Sequence, residues 1–139
     1  MDSIYDKLGG EVVLSKLVKD FYNNMDTFEE AQGIRKMHAK NLRISEKKLF
    51  MFLSGFFGGP NLYIEEYGHP RLRQRHMPFS IGASEAEQWV FCMKQAIADN
   101  VPDDKLANEL VQYFIRTAEH MRNNEDTSIP DNLKINVSN

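Results

Sequence analysis

The patterns that mark several common protein classes are missing from this sequence. Its 139 residues contain one cysteine, Cys92, which excludes an internal disulfide framework and a two-cysteine attachment of a cofactor. No apolar run approaches the roughly 18 residues of a membrane span, and the first residues contain no apolar signal core. The net charge of −3 lacks the strong basic excess of a dedicated nucleic-acid binder. We therefore expect one cytoplasmic domain that binds neither nucleic acid nor a membrane, with Cys92 as a small core residue.

Familiar catalytic and metal-binding motifs are also absent. The four histidines lie far apart, and none has a second histidine three or four residues away. Zinc-ligand spacings, a nucleophile elbow, a phosphate-binding loop and a dinucleotide fingerprint are all missing. The sequence therefore offers no support for a zinc site, a conventional hydrolase or a nucleotide-binding enzyme.

Helical periodicity is what the sequence does contain. Alternating strand patterns are absent, whereas apolar residues recur at i, i+3, i+4 and i+7. We predict four substantial helices near 11–25, 45–57, 85–98 and 103–121, and a short irregular helix within 26–38. The predicted helix starts are Ser45, a Ser84–Glu87 capping box, and Asp103 or Asp104. The all-α domain should cover residues 1–122, followed by a polar, disordered tail over 123–139.

The connection between the second and third predicted helices is unusually long, at about 20 residues, and it ends on His76. The residues around His76 are basic before it and apolar after it: Arg71, Arg73, Arg75, Met77 and Phe79. An imidazole in such a place is suited to bind a metal, because its surroundings are apolar on one side and offer cations on the other. A haem has a matching shape, since it combines an apolar macrocycle, a central iron and two carboxylates at one edge.

Two aromatic residues with polar atoms lie on or beside the apolar stripes that this helical spacing produces. Tyr22 lies beside the stripe of the first long helix, and Trp89 begins the stripe of the helix after the long connection. A buried tyrosine hydroxyl or tryptophan N–H normally needs a hydrogen-bond partner. With His76, they supply an iron ligand and two donors in an otherwise apolar helical protein, as a gas-binding haem pocket requires.

These residues resemble a known family, the truncated (two-on-two) haemoglobins, and specifically its group II branch. The resemblance covers roughly residues 3–121. It rests on the blocks 5–10, 21–22, 49–60 and above all 67–79, followed by Trp89. It implies an all-α, two-over-two helical sandwich around a non-covalently bound haem b.

The resemblance also implies roles for individual residues. His76 is the expected proximal iron ligand, and Tyr22 and Trp89 are the expected distal hydrogen-bond donors. A third distal position, the first after the C helix of the family, is expected to be His38, or Met37 under a different local alignment. Residues expected to line the macrocycle are Leu42, Leu49, Phe52, Met77, Phe79 and Met93, and those expected to meet the propionates are Lys48, Tyr63, Arg71 and Arg75.

Such a pocket should bind O2, NO, CO and similar small ligands. It should release O2 slowly, because hydrogen bonds to its partial negative charge oppose its departure. Slow release suits the detoxification of nitric oxide, reactive nitrogen species or peroxide, with electrons from an unidentified reductase. The alternatives are a gas sensor or an oxygen carrier without turnover, and a helical interaction domain without haem. We expect a monomer or a weak homodimer.

His38 leaves two states of the iron open. If His38 binds the sixth position, the iron is six-coordinate and an incoming ligand must displace the imidazole. If it only donates a hydrogen bond or faces solvent, the iron is five-coordinate.

Overall fold

The computed structural model describes residues 2–123, which form eight α-helices and one short 3-10 helix. The helices are α1 (Ile4–Leu8), α2 (Gly10–Thr27), the 3-10 helix (Glu29–Ala31), α3 (Gln32–Lys36), α4 (Arg43–Phe56), α5 (Leu62–Tyr67), α6 (Leu72–His76), α7 (Ala83–Asn100) and α8 (Asp104–Met121). No residue in this range belongs to a strand. The predicted all-α class is confirmed, and α2, α4, α7 and α8 correspond to the four predicted long helices.

Helix α2 lies at the centre of the packing. It packs against both α4 and α7, and α7 also packs against α8, so that two helix pairs form a two-over-two sandwich. The apolar stripe predicted on α2 is completely buried: Leu14, Leu17, Val18, Phe21 and Met25. Cys92 is buried in the same core, and burial raises the pKa of its thiol to about 11.

Glycines separate α1 from α2, as the sequence predicts. Gly9 has φ of +117° and Gly10 has φ of +72°, conformations that residues with a side chain rarely adopt. A Cβ atom on Gly59 would lie 2.5 Å from the ring of Tyr5. The Tyr5 amide also donates to the carbonyl of Phe57 at 2.9 Å, so α1 is held against the end of α4.

Two predicted helix starts are wrong, and in both cases the helix begins earlier. Helix α4 starts at Arg43, whose N–H donates to the side-chain oxygen of Asn41 at 2.9 Å, and Ser45 lies inside the helix. Helix α7 starts at Ala83, where the Glu85 carboxylate accepts from the Gly82 N–H at 2.7 Å. The predicted Asp103 cap is confirmed, because its carboxylate accepts from the Leu106 N–H at 3.1 Å.

The long connection between α4 and α7 contains the two short helices α5 and α6, as its three prolines predict. Arg71 precedes α6 with φ of +46°, the sole positive φ of a residue other than glycine within 2–123. Across the same residues, no helix is both long and apolar enough to cross a membrane. Of the predicted tail, residues 124–139 lie outside the described range, and the domain limit at residue 122 stays a prediction.

Candidate haem site

The imidazole of His76 is oriented by its own helix. His76 is the last residue of α6, and its Nδ1 lies 2.6 Å from the carbonyl oxygen of Leu72, one turn earlier. A carbonyl oxygen can only accept a hydrogen bond, so the proton of the neutral ring resides on Nδ1. The lone pair on Nε2 is thereby available to bind a metal. A fixed tautomer and orientation of this kind is typical of metal-binding histidines.

The residues that follow His76 are apolar but poorly covered by protein. Met77 is 49% exposed and Phe79 is 44% exposed. The Met77 sulfur accepts a hydrogen bond from Arg73 at 3.4 Å, which keeps this side chain beside α6. Exposed apolar groups next to a histidine fit a surface that covers an apolar ligand.

Asn123 connects the segment 76–81, called the proximal segment below, to the end of α8. Its side-chain Nδ2 donates to the carbonyls of His76, at 3.2 Å, and Phe79, at 2.7 Å. Its side-chain oxygen accepts from the N–H of Ile81 at 2.8 Å, and its backbone N–H donates to the Ile81 carbonyl at 2.9 Å. Sequence reasoning missed this residue, because its partners are backbone groups and nothing in the local sequence reveals them.

Tyr22 is buried on α2 with its side chain 7% exposed. Among residues 2–123, no protein group forms a hydrogen bond with its hydroxyl. Burial, with a smaller contribution from the charge of Glu46, raises the pKa of Tyr22 well above its ordinary value. The phenol therefore keeps its proton, and a buried donor without a partner fits a site where a ligand supplies the acceptor.

Trp89 and Tyr22 both pack against the ring of Phe21. The Phe21 ring centroid is 4.9 Å from that of Tyr22 and 5.0 Å from that of Trp89. The indole also packs against Phe114 at 5.5 Å, and no acceptor within residues 2–123 receives its N–H. The structure thus brings together the two predicted distal donors around Phe21.

His38 joins the same group from the segment after α3. Its ring lies 5.9 Å from the Tyr22 ring, and its Nδ1 is 2.8 Å from the carbonyl oxygen of Ile34. This contact places the proton of a neutral ring on Nδ1 and leaves a lone pair on Nε2. The position beside Tyr22 supports His38 rather than Met37 as the distal residue of this segment.

Gln88, which sequence reasoning also missed, ties α7 to α3. Its side-chain oxygen accepts from the Ile34 N–H at 2.9 Å, and its side-chain Nε2 donates to the Ser84 hydroxyl oxygen at 3.0 Å. Ile34 is the residue whose carbonyl holds His38. Gln88 therefore links the helix that carries Trp89 to the segment that carries His38.

The residues predicted to line the macrocycle differ in burial. Met93 on α7 is 1% exposed and belongs to the core. Three others, on α4 or just before it, are partly buried and pack against that core: Leu42, Leu49 and Phe52. With Met77 and Phe79, they provide apolar surface from two parts of the chain, as a flat apolar group requires.

Two of the basic residues predicted to meet the propionates, Lys48 and Arg75, lie over two neighbouring tyrosine rings. Lys48 Nζ is 5.2 Å from the ring centroid of Tyr67, and Arg75 Cζ is 5.9 Å from that of Tyr63. The two tyrosine rings are 4.9 Å apart, so Lys48 and Arg75 share one edge of the molecule. Within residues 2–123, neither these two nor the exposed Arg71 has a carboxylate within 4.0 Å. They are therefore available to anionic groups of a ligand.

These residues fit a haem. His76 offers a metal-binding nitrogen. Within residues 2–123, the Tyr22 hydroxyl is a buried donor without a protein acceptor, and Lys48 and Arg75 have no carboxylate within 4.0 Å. Over the same residues, no three His, Cys, Asp or Glu side chains form a group that could hold a metal ion. A histidine nitrogen beside apolar surface and cations suits an iron whose equatorial ligands come from a porphyrin.

Comparison with known proteins gives matches along almost the whole described range. The model of the family described as bacterial-like globin matches residues 3–123. A group 2 truncated haemoglobin of Bacillus subtilis, YjbI, is 36% identical over 114 residues, which cover 82% of this chain and 84% of the relative.

Solved structures agree with these sequence matches. The cold-adapted truncated haemoglobin of the Antarctic marine bacterium Pseudoalteromonas haloplanktis TAC125 has a TM-score of 0.87 and 38% identity, covering 88% of this chain and 99% of its own. A truncated oxygen-avid haemoglobin of Bacillus subtilis has a TM-score of 0.79 and 35% identity, covering 88% of this chain and 100% of its own.

Proposed function

The chain belongs to the bacterial-like globin family, in its group 2 truncated haemoglobin branch, and from this premise we propose that it holds O2 for slow release and oxidises nitric oxide to nitrate. It binds haem non-covalently and, through the haem, O2. When bound, the haem supplies an iron that takes up small diatomic ligands. Our proposal concerns what the protein residues then do.

We propose that His76 would hold the iron through Nε2 and that Tyr22 and Trp89 would donate hydrogen bonds to a small ligand of the haem. The carbonyl of Leu72 keeps the His76 ring in the required tautomer. The apolar residues around it exclude water, and Lys48, Tyr63, Arg71 and Arg75 meet the propionates. The observation that carries the proposal is the buried Tyr22 hydroxyl, which has no acceptor within residues 2–123.

Slow release follows from the energy of such hydrogen bonds. A hydrogen bond to a charged group contributes about 1.5–3 kcal/mol. Two donors aimed at the partial negative charge of O2 therefore slow its dissociation strongly. A protein with slow release unloads O2 too slowly for transport but retains it long enough to react. The related Bacillus subtilis protein described as oxygen-avid supports this property by analogy.

The proposed reaction balances with one added electron. One O2, one NO and one electron give one nitrate ion. In a single turnover a bound ferrous haem would supply the electron. In continuous turnover it comes from a partner, which we propose to be a separate flavin-dependent reductase that uses a nicotinamide donor. The buried thiol of Cys92 is compatible with a reducing cytoplasm, which remains our proposed location.

The direct test mixes the O2-loaded ferrous protein with one equivalent of NO in a stopped-flow instrument. We expect one nitrate and one ferric haem for each NO consumed, and a Tyr22→Phe protein that loses its O2 before NO is added should yield less nitrate. Adding NADH and a flavin reductase should restore the ferrous protein and sustain turnover. Displacement of O2 by NO without nitrate would contradict the proposal and favour a carrier or store. Faster consumption of peroxide than of NO would favour the peroxide reaction.

We further propose that His38 binds the iron when no other ligand is present. The Nδ1 contact with Ile34 leaves a lone pair on Nε2, which can bind a metal but cannot donate a hydrogen bond. The His38→Ala protein should therefore lose the low-spin visible spectrum of the ligand-free form. Met37→Ala is the matched control and should keep it. A low-spin spectrum that survives in His38→Ala would contradict the assignment and imply another ligand at the sixth position, and a high-spin spectrum of the unsubstituted protein would imply a five-coordinate iron.

A further inference from the structure

Asn123 connects its side chain to several backbone groups on the proximal side. Its amide donates to the carbonyls of His76 and Phe79 and accepts from the Ile81 N–H. These partners are backbone groups of the segment that begins at the proposed iron ligand. The backbone N–H of Asn123 also donates to the Ile81 carbonyl.

Helix α6 depends on contacts with the rest of the protein for its stability and position. It has five residues and no side-chain cap at its start, and helices this short are not stable in isolation. The Nδ1 contact of His76 lies within α6, so it orients the ring but does not place the helix. Hydrogen bonds from the end of α8 supply such contacts, through Asn123 and through the Arg122 carbonyl, which accepts from Arg73 at 3.4 Å.

We propose that Asn123 is a positioning residue for the iron site. It holds the His76 backbone at a defined distance from α8 and thereby sets the distance and tilt of the imidazole relative to the iron. It does not touch the iron or the haem ligand. This inference rests on the proposed role of His76 as the iron ligand.

The chemistry of the amide makes the proposal specific. Asn123→Asp keeps an oxygen that accepts from the Ile81 N–H but loses both donors to the carbonyls of His76 and Phe79. Asn123→Ala loses all three side-chain bonds. The two variants therefore separate support of Ile81 from support of His76, and Asn123→Asp serves as the second variant if Asn123→Ala folds poorly.

The test compares these proteins by resonance Raman spectroscopy of the ferrous, ligand-free form. A form with five-coordinate iron is needed, so the measurements are made in the His38→Ala background. The iron–histidine stretching band should shift or broaden in both Asn123 variants. Haem transfer to excess apomyoglobin should be roughly ten- to a hundredfold faster, as is typical when groups that support a metal ligand are removed.

Asn24→Ala is the matched control. Asn24 also makes a partly buried bond between helices, from Nδ2 to the Cys92 carbonyl at 3.0 Å, but it contacts no part of the proximal segment. It should lower the melting temperature and leave the iron–histidine band unchanged. If the Asn123 variants only lower the melting temperature, as Asn24→Ala does, the positioning role is wrong. If the band is absent from the His38→Ala protein that carries no second substitution, the assignment of His76 as ligand fails instead.

In the haem-free protein, hydrogen exchange gives an independent readout. The Ile81 amide should exchange faster in Asn123→Ala than in Asn123→Asp, because only the second variant retains an acceptor for it. Equal exchange in the two variants would contradict the hydrogen-bond scheme on which the positioning role depends.

Discussion

Replacing His76 with glycine should leave a protein that folds but is purified with little haem, and added imidazole should restore the haem. The substitution removes the proximal nitrogen proposed to bind the iron and leaves a space of imidazole size. The carbonyl of Leu72, which accepts from Nδ1 at 2.6 Å in the parent protein, remains in place to orient the free imidazole. The haem-to-protein ratio, measured with and without imidazole, is the test.

His69→Gly is the control for this experiment. His69 lies in the same connection, and its Nδ1 accepts from the Arg71 N–H at 3.3 Å, but it is exposed and has no proposed role at the iron. This variant should keep its haem and show no response to imidazole. Normal haem content and an unchanged spectrum in His76→Gly would mean that another residue binds the iron.

Replacing Tyr22 with phenylalanine should accelerate O2 dissociation about ten- to a hundredfold, the range that corresponds to a lost hydrogen bond to a charged group. Shape and apolar contact are preserved, so the change isolates the hydroxyl. The measurement is the rate at which O2 leaves the ferrous protein when CO is supplied in excess to capture it. Dissociation of CO, which carries little negative charge, should change much less.

In the haem-free protein, the same substitution should not lower the free energy of unfolding. The Tyr22 hydroxyl is buried without a protein partner in residues 2–123, and burial of such a group costs about 1–3 kcal/mol. The free energy of unfolding of the haem-free Tyr22→Phe protein should therefore be equal to or higher than that of the parent. A large loss of stability together with unchanged O2 dissociation would show that Tyr22 is a structural core residue.

Trp89→Phe extends this test to the second donor. If both donors act on the same ligand, the effects of Tyr22→Phe and Trp89→Phe on O2 dissociation should not be additive in the double variant, because neighbouring groups couple. Additive effects would indicate that the two donors act independently, and an unchanged rate in Trp89→Phe would indicate that Trp89 does not contact the ligand.

The long helices were predictable from the sequence because their burial follows a simple period. The residues Leu14, Leu17, Val18 and Phe21 share one face of any helix, and that face must be buried whatever it packs against. Helix starts were less predictable. Ser45 and Ser84 are good capping residues by type, but Asn41 and Glu85 reach the free N–H groups first, and the choice depends on the path of the chain before each helix.

The helical class, the long connection that ends at His76 and the residue types of a haem site follow from the sequence. They depend on apolar periodicity, on proline positions and on a family motif, all of which are local properties. The folded protein was needed to show which polar atoms within residues 2–123 lack a partner and which residues support the site. Asn123 lies 47 residues from His76 and Gln88 lies 54 residues from Ile34, and each bonds to backbone groups that are alike at every position. Such contacts leave no signature in sequence because their specificity comes from distance and direction, which exist only when the helices are packed.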